Sequence, residues 1–308
     1  MNTILASIMA FLMLIQALLG IAGVKDVGGF DKNNWMKDAD GFALISTLSI
    51  PGTHNSGALY EPVYGTTKCQ RYTINDQLNM GVRFLDVRAS ISAGKLKIAH
   101  GAIRQGSTLN SLLNDCYGFL EKNPSEAIIL SLRNEDGELE KTEKFEQLAS
   151  KEINSNARLW YTENRIPALN EVRGKTVLIN RFNRYSNLGI NAAHDWGNNC
   201  TFSLYNIFNT YNIFFINVQD VYSPSTIEEK KEAALSFFKN NNKPAEDIPA
   251  LCINFLNAVT SAGNIPETSA KMNKFFKEYS KTNPKYFGCV VFDYITSDLC
   301  DIVINANK

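Results

Sequence analysis

The sequence predicts an α/β protein folded as a single irregular (distorted) TIM-type (β/α) barrel, and three observations support this fold class. The chain has 308 residues, enough for one such barrel of about 250 residues. Short apolar, β-branched runs recur along it, with helix-like stretches between several of them. No linker rich in Gly, Ser or Pro divides the chain, which favours one domain over two.

The predicted strands are apolar along most of their length, as expected for parallel strands that are covered on both faces. Only residues 90–94 separate the second run from the third, too few for a helix, so we expect the barrel to be irregular there. The eight runs are 43–50, 83–89, 95–99, 127–132, 176–180, 214–218, 250–255 and 288–292.

Helices are predicted between several of these strands. Thr108 and Thr226 stand where an N-cap is expected, and an acidic first turn follows Thr226. The Asn-Pro pairs at 123–124 and 283–284 predict helix ends. The predicted helices are 108–122, 139–153, 226–240 and 267–282.

Residues 1–24 carry no charged side chain, and their apolar part ends in small residues. This pattern predicts a cleaved secretory signal peptide, which we place at residues 1–22, with the barrel in 23–308. The alternative is a membrane anchor, since a span of about 20 apolar residues can cross a bilayer. We favour the signal peptide and therefore expect a secreted protein.

Six cysteines lie beyond this segment. An even number in a secreted chain permits up to three disulfides, whereas the alternative is that some are small buried hydrophobes. No pair has the CxxC spacing that is typical of a zinc site. The sequon at 199–201 is an acceptor for N-glycosylation in a eukaryotic secretory pathway.

The polar side chains with the most distinctive chemistry fall at the carboxyl ends of the predicted strands. A single His or Arg–Asp pair is more often structural, but in a (β/α) barrel these strand ends converge on one face, where active sites form. Their shared position therefore predicts one pocket. In chain order they are His54, Asn55, Asp86, Arg88, His100, Arg133, Glu135, Arg181, Asp220, Tyr222 and Asp293.

Composition and motifs narrow the chemistry of this pocket. The formal net charge is zero, which argues against a broad basic face and a nucleic-acid partner. The chain has no P-loop, dinucleotide fingerprint or G-x-S-x-G elbow, and Arg88 disfavours a metal cation beside it. Two histidines can act as base and acid while arginines hold an anionic phosphoryl group. This set is typical of metal-free phosphodiester cleavage by an internal hydroxyl of the substrate.

The third histidine, His194, lies in a predicted loop and is expected to have no role.

Six motifs, in order and spacing between residues 35 and 305, resemble the catalytic (X) domain of bacterial secreted phosphatidylinositol-specific phospholipases C. They are SIPGTHNSG, QLNMGVRFLDVR, IAHG, NPSEAIILSLRNE, VQDVY and VVFDYI. The resemblance implies a distorted barrel that cleaves phosphatidylinositol to diacylglycerol and inositol 1,2-cyclic phosphate. The lipid part of glycosylphosphatidylinositol (GPI) anchors is a second candidate substrate.

The resemblance also implies residue roles. His54 is the expected general base, and Asp293 holds it in its working tautomer. His100 is the expected general acid, and Arg88, supported by Asp86, stabilises charge on the phosphate. The residues expected to bind the inositol phosphate are Arg133, Glu135, Arg181, Asp220 and Tyr222.

Two positions bear on calcium. Calcium-dependent eukaryotic relatives have a carboxylate where this chain has Arg88, and a guanidinium substitutes for the charge of the ion, so we expect neither calcium nor another cofactor. The bacterial type has Asp where this chain has Asn55, and that Asp assists the general acid. Asn resembles the calcium-dependent relatives. We therefore expect the acid step to be weaker here or arranged differently.

A lipid substrate requires peripheral contact between the mouth of the barrel and a membrane. Aromatic side chains in 60–64 and 202–215 are candidates for this contact, although core packing is favoured for Phe214 and Phe215. The expected partners are phosphatidylinositol in membranes and GPI-anchored proteins, and the expected state is a monomer. Two alternatives stay open: an inactive lipid- or inositol-phosphate-binding module, and an enzyme of related fold acting on another phosphodiester lipid.

Overall fold

The structure is a computed structural model that describes residues 31–308, apart from 138, 210, 211, 246, 262 and 284 and the side chains of 139, 140, 208, 209 and 212. The predicted signal peptide at 1–22 lies outside the described residues. Within the described part, no helix combines the length and the apolar character needed to cross a bilayer. Residues 32–308 form one compact unit.

The strands of this unit belong to one sheet whose order follows an open barrel. They are β1 Ile50–Thr53, β2 Phe84–Ser92, β3 Lys95–His100, β4 Ile103–Thr108, β5 Ala127–Asn134, β6 Trp160–Tyr161, β7 Lys175–Arg181, β8 Ile190–Asn191, β9 Thr201–Asn209, β10 Asn212–Gln219, β11 Ala250–Phe255 and β12 Cys289–Phe292. The helices are α1 Ile74–Asn79, α2 Leu109–Lys122, α3 Leu139–Asn154, α4 Leu169–Val172, α5 Ile227–Asn240, α6 Ile265–Ser280 and α7 Ser297–Asn305.

The sheet runs in the order β6-β7-β5-β2-β1-β12-β11-β10-β9, and the pairs from β6 through to β10 are parallel. Strand β9 is antiparallel to β10 and forms one edge, while β6 and β8 both lie on the outer side of β7. No strand pairing joins these two edges among the described residues. The predicted irregular (β/α) barrel is confirmed, and the irregularity is an unclosed sheet.

Two of the predicted strands need correction. The first was expected at 43–50, but β1 begins only at Ile50, because residues 45–47 form a turn of 3₁₀-helix whose Ile45 side chain is buried. The third was expected to be a parallel barrel strand. Instead β3 folds back antiparallel on β2 and pairs with β4 on its other side.

The predicted helices agree closely with the structure because their capping residues act locally. The Thr108 hydroxyl accepts a hydrogen bond from the Ser111 N–H at 3.1 Å, and α2 follows directly. The Thr226 hydroxyl accepts from the Glu229 N–H at 3.2 Å and starts α5. The sequence did not predict the short α1 and α4, the C-terminal α7, or the strands β4, β6, β8 and β9.

The cysteines correct a further expectation. All six carry free thiols in the structure, which therefore contains none of the disulfides that the sequence permits. Five are buried, and the sixth, Cys200, is partly exposed. The alternative that the sequence left open, packing as small hydrophobes, describes the buried thiols.

Candidate active site

A cavity of about 850 Å³ opens at the carboxyl end of the parallel strands. Its volume lies in the range that is typical of small-molecule binding sites. Of the residues predicted from the sequence, Asp86 and Asn55 are fully buried and do not line it. The others all do: His54, Arg88, His100, Arg133, Glu135, Arg181, Asp220, Tyr222 and Asp293.

The register of β1 and β12 brings His54 beside Asp293. Thr53 pairs with Phe292, and the His54 N–H donates to the Phe292 carbonyl at 2.9 Å, so the next residue of each strand faces the same site. The His54 Nδ1 lies 2.8 Å from the Asp293 Oδ1. Gln70 fixes both strand ends, because its amide donates to the carbonyls of His54 and Phe292 at 2.9 and 2.8 Å.

Arg88 determines the tautomer of His54. Its Nη2 lies 2.9 Å from the His54 Nε2, and a guanidinium can only donate. Nε2 must therefore accept, and the ring proton lies on Nδ1, where it is donated to Asp293. An imidazole in this form can take a proton at Nε2. The ring is thus arranged as a base that faces the cavity.

Three arginines form a row across adjacent strands. Arg88 on β2 pairs with Arg133 on β5, which pairs in turn with Arg181 on β7, so all three project to one side of the sheet. This register explains how a chain with no net charge concentrates positive charge at one point. The row is an anion-binding surface.

Buried Asp86 holds two members of this row in place. It accepts from the Arg181 Nη1 at 2.9 Å, the Arg88 Nε at 3.2 Å and the backbone N–H of Asn55 at 3.1 Å. Burial alone would raise the pKa of Asp86, but Arg88 and Arg181 hold that pKa well below its usual range. Burial lowers the pKa of Arg181 to about 10, and Asp86 opposes this effect.

Glu135 is the second acid beside the row. Its carboxylate lies 3.9 Å from the Arg88 Nη1 and 3.5 Å from the Arg133 Nε, and it accepts the backbone N–H of Gly101 at 2.8 Å. Burial would raise the pKa of Glu135, but the two arginines lower it overall. Glu135 therefore ties the loop after His100 to the arginine row.

His100 reaches the site by a different route from the one predicted. Strand β2 extends to Ser92, and antiparallel β3, whose Ile98 pairs with Ala89, returns the chain toward the site. The Nδ1–H donates to the Thr67 carbonyl at 2.8 Å, which leaves Nε2 toward the cavity. The rings of His100 and His54 are perpendicular, with their centroids 6.1 Å apart. Burial and the neighbouring His54 lower the pKa of His100.

Asn55 contributes its backbone, not its side chain, to the hydrogen bonds of the site. Its backbone is left-handed, with φ at 42°, and its side chain is fully buried. Neither the amide nitrogen nor the amide oxygen has a hydrogen-bond partner among the described residues. The contribution of Asn55 is its backbone N–H to Asp86, and the Thr67 carbonyl is what orients His100.

The far side of the cavity contains a residue that sequence reasoning missed. The guanidinium carbon of Arg181 lies 3.6 Å from the centroid of the Trp196 ring, in a cation–π contact. The indole N–H of Trp196 donates to the Asp220 carboxylate at 3.1 Å. Tyr222 faces the same space and donates its hydroxyl to Asn198 at 2.6 Å. Trp196 belongs to the segment AAHDWG, which also contains His194. That histidine does not line the cavity, and its Nε2 lies 3.2 Å from the Tyr205 carbonyl.

Cys69 is a second residue without a predicted role. Its side chain is fully buried, with Sγ 3.8 Å from the Thr67 carbonyl oxygen and 3.6 Å from the His100 Nδ1. Burial and Asp293 raise the pKa of the Cys69 thiol well above its ordinary value. It is therefore a neutral group behind the two histidines.

Comparison with known proteins finds sequence similarity to phospholipases C. The profile described as "Phosphatidylinositol-specific phospholipase C, X domain" matches residues 45–182. A "1-phosphatidylinositol phosphodiesterase" of Staphylococcus aureus (strain Newman) is 28% identical over 298 residues, which cover 89% of this chain and 94% of the relative. The chain is therefore similar to phosphatidylinositol-specific phospholipases C along most of its length.

Two further similar proteins extend the comparison. A protein of the same name from Listeria monocytogenes is 31% identical over 169 residues, or 51% of each chain. A solved structure of a Staphylococcus aureus phosphatidylinositol-specific phospholipase C variant matches with a TM-score of 0.78 at 26% identity, covering 90% of this chain and 98% of that one. The distorted barrel is thus shared with the phospholipase C family.

Proposed function

We propose that this protein is a phosphatidylinositol-specific phospholipase C, which cleaves phosphatidylinositol to diacylglycerol and inositol 1,2-cyclic phosphate. The observation that carries the proposal is the His54 ring, whose Nδ1–H is bonded to Asp293 and whose Nε2 accepts from Arg88. The general base His54 therefore lies next to the Arg88 guanidinium, which can bind a phosphate. The names of the bacterial relatives agree with this activity.

In the proposed reaction His54 is the general base. The inositol 2-hydroxyl displaces Arg88 from Nε2 and gives its proton to that nitrogen as its oxygen attacks phosphorus. Asp293 stabilises the imidazolium that forms. Arg88, released from Nε2, donates to a non-bridging phosphoryl oxygen as negative charge develops there.

His100 is the proposed general acid. Its Nδ1–H is bonded to Thr67, so the proton delivered to the departing diacylglycerol oxygen comes from Nε2 on the cavity side. Bond cleavage between phosphorus and that oxygen then releases diacylglycerol. The cyclic phosphate stays on the arginine row, and Asp220, Tyr222 and Glu135 bind the inositol hydroxyls.

The lowered pKa of His100 leads to a prediction about pH. A general acid must carry its proton, so we expect kcat/KM to fall as pH rises through the pKa of His100, at a value below the ordinary histidine pKa of about 6.5. The measurement is a pH profile of kcat/KM on phosphatidylinositol. His100→Ala should lose this alkaline limb together with most activity, and His194→Ala should keep it. A wild-type limb above the ordinary histidine pKa would contradict the prediction.

We also propose that catalysis needs neither calcium nor another cofactor. The Arg88 guanidinium lies 2.9 Å from the His54 Nε2, which is where a cation would have to meet the phosphate. Two like charges there would repel each other. Activity should therefore be unchanged in excess EGTA, measured as initial rate on vesicles. Strict dependence on added Ca²⁺ would refute the Arg88 argument.

A loop beside the cavity provides the proposed membrane contact. Tyr60, Val63 and Tyr64 are 54%, 64% and 72% exposed, and the Gly65 carbonyl of this loop accepts the N–H of the cavity residue Ile265. Of the other candidates, Phe214 is buried as expected, while the Phe208 side chain and all of Tyr211 lie outside the described part.

Replacing Tyr60 and Tyr64 together by Ala should weaken binding to phosphatidylinositol vesicles by about tenfold or more, since burying one large apolar side chain contributes roughly 1.5–3 kcal/mol. The measurement is vesicle sedimentation. The matched control is Phe42→Ala. The Phe42 side chain is 88% exposed and precedes β1, at the end of the barrel opposite the cavity. Equal binding by the double variant and the control would remove this loop from the proposal.

The decisive experiment uses phosphorus NMR. Wild-type protein incubated with phosphatidylinositol vesicles should produce the cyclic inositol phosphate, and His54→Ala should not. Identical blank spectra would favour the alternative of an inactive binding module. Vesicles of other phosphodiester lipids and a GPI-anchored protein form parallel arms that test the substrate range.

We propose secretion through residues 1–22 and a monomeric state as further parts of this function.

A further inference from the structure

The two nitrogens of the His54 ring face different chemical environments. Nε2 meets Arg88 on the cavity side, whereas Nδ1 meets Asp293, with the Cys69 thiol behind it. The proposed reaction uses only the first of these sides for proton transfer from substrate. The second side brings together three groups that can each bind a metal ion.

The geometry on that side is close to a coordination sphere. One ligand atom each from His54, Cys69 and Asp293 can be chosen such that all lie within 4.8 Å of one another, and all three residues are buried. Ligand atoms around a tetrahedral Zn²⁺ lie roughly 3–4 Å apart, given bonds of about 2.0–2.3 Å. If these three ligand atoms moved slightly closer together, they would occupy three of the four positions of a tetrahedral Zn²⁺ site.

The donor set selects a soft or borderline cation. Imidazole, thiolate and carboxylate together are ligands that Zn²⁺ and Co²⁺ accept, whereas Ca²⁺ and Mg²⁺ require oxygen ligands. This site is distinct from the phosphate side, where Arg88 opposes a cation. Arg88 itself is compensated by Asp86 at 3.2 Å and Glu135 at 3.9 Å, which reduces its repulsion of an ion across the ring.

The cavity gives an ion access to this site. His54 and Asp293 both line the cavity, while Cys69 is fully buried behind them. An ion would enter as a substrate does, meet the imidazole and the carboxylate first, and then take the thiolate. A water molecule from the cavity can complete the four ligands.

We propose that His54, Cys69 and Asp293 form an inhibitory site for a divalent cation of the Zn²⁺ class. On binding, Cys69 releases its thiol proton to solvent, and the ring proton of His54 moves from Nδ1 to Nε2. The metal bonds to Nδ1, Sγ and an Asp293 oxygen. With Nε2 protonated, His54 can no longer accept the proton of an attacking hydroxyl. The inhibitory consequence rests on the proposed function, but metal binding does not.

The binding test uses Co²⁺ added to the full chain, with absorption spectroscopy as the readout. A cysteine thiolate bound to Co²⁺ gives an intense ligand-to-metal charge-transfer band in the near ultraviolet, whatever the enzymatic activity. Wild-type protein should develop this band, and Zn²⁺ should abolish it by displacement. Cys69→Ser should not develop it. Cys116→Ser, which removes another fully buried thiol on α2, is the matched control and should behave as wild type.

The activity test adds Zn²⁺ to each protein and compares its rate on phosphatidylinositol with its own metal-free rate. Loss of a ligand should raise the Zn²⁺ concentration for half inhibition by about tenfold or more in Cys69→Ser, and leave Cys116→Ser at the wild-type value. A charge-transfer band that persists in Cys69→Ser, or no band in wild type, would overturn the site. Equal inhibition of wild type and Cys69→Ser would overturn its inhibitory role. If phosphatidylinositol is not cleaved at all, the proposed function fails while the Co²⁺ spectrum still decides the site.

Discussion

Replacement of Asp293 by Asn is expected to lower kcat by about 10²–10⁴-fold while the protein stays folded. The carboxylate can only accept, so it holds the ring proton of His54 on Nδ1 at 2.8 Å. An amide in its place can turn its NH₂ toward Nδ1 and force the proton to Nε2. Nε2–H would then face the Arg88 donor and could not act as a base. The loss of the negative charge also removes the stabilisation of the imidazolium.

The measurement is the initial rate of cyclic inositol phosphate formation at saturating substrate, with circular dichroism to verify folding. Asp298→Asn is the matched control, because Asp298 lies on α7 near the same strand end, and its exposed carboxylate pairs with Lys277. The control should keep its rate. A folded Asp293→Asn protein as active as the control would contradict the dyad argument.

The sequence predicted most of the site because strand ends are local features. An apolar run that ends in a polar residue places that residue at the barrel mouth, and parallel pairing then aligns the row of Arg88, Arg133 and Arg181. The direction of β3 was not predictable in this way. A strand pattern specifies which residues are buried, not whether the strand runs up or down, and only the short 90–94 connection hinted at a hairpin.

Contacts between loops that are distant in the sequence could not be predicted from the sequence alone. Trp196 becomes a site residue only because its loop brings the indole against Arg181 and Asp220, which belong to other elements. Likewise Thr67 orients His100 through a backbone carbonyl, a group that every residue has. The motif comparison drew attention to Asn55 instead, whose side chain reaches no partner in the described part of the chain.

A feature that the sequence did not reveal is a buried ion pair at the opposite end of β2. Arg83 and Glu126 are both fully buried, and the Arg83 Nε and Nη2 each lie 3.0 Å from the Glu126 Oε2. Arg83 also donates to the carbonyls of Leu78 and Val82 at 2.8 Å, and its guanidinium packs 4.4 Å from the Phe119 ring centroid. The pair therefore ties the start of β2 to the loop that precedes β5.

Glu126→Gln should reduce the free energy of unfolding by about 3–5 kcal/mol, because it preserves shape but leaves the Arg83 charge buried without a counter-charge. Urea denaturation measures the loss, and each kcal/mol should lower Tm by about 2–4 °C in a chain of this size. The matched control is Glu121→Gln on α2, whose partner Arg158 at 3.3 Å is 74% exposed, so solvent screening should keep its effect below about 1 kcal/mol. Equal destabilisation by the two variants would mean that Arg83 finds its compensation in the surrounding carbonyls rather than in Glu126. Since neither glutamate touches the cavity, both variants should cleave phosphatidylinositol at the wild-type rate below their unfolding temperatures.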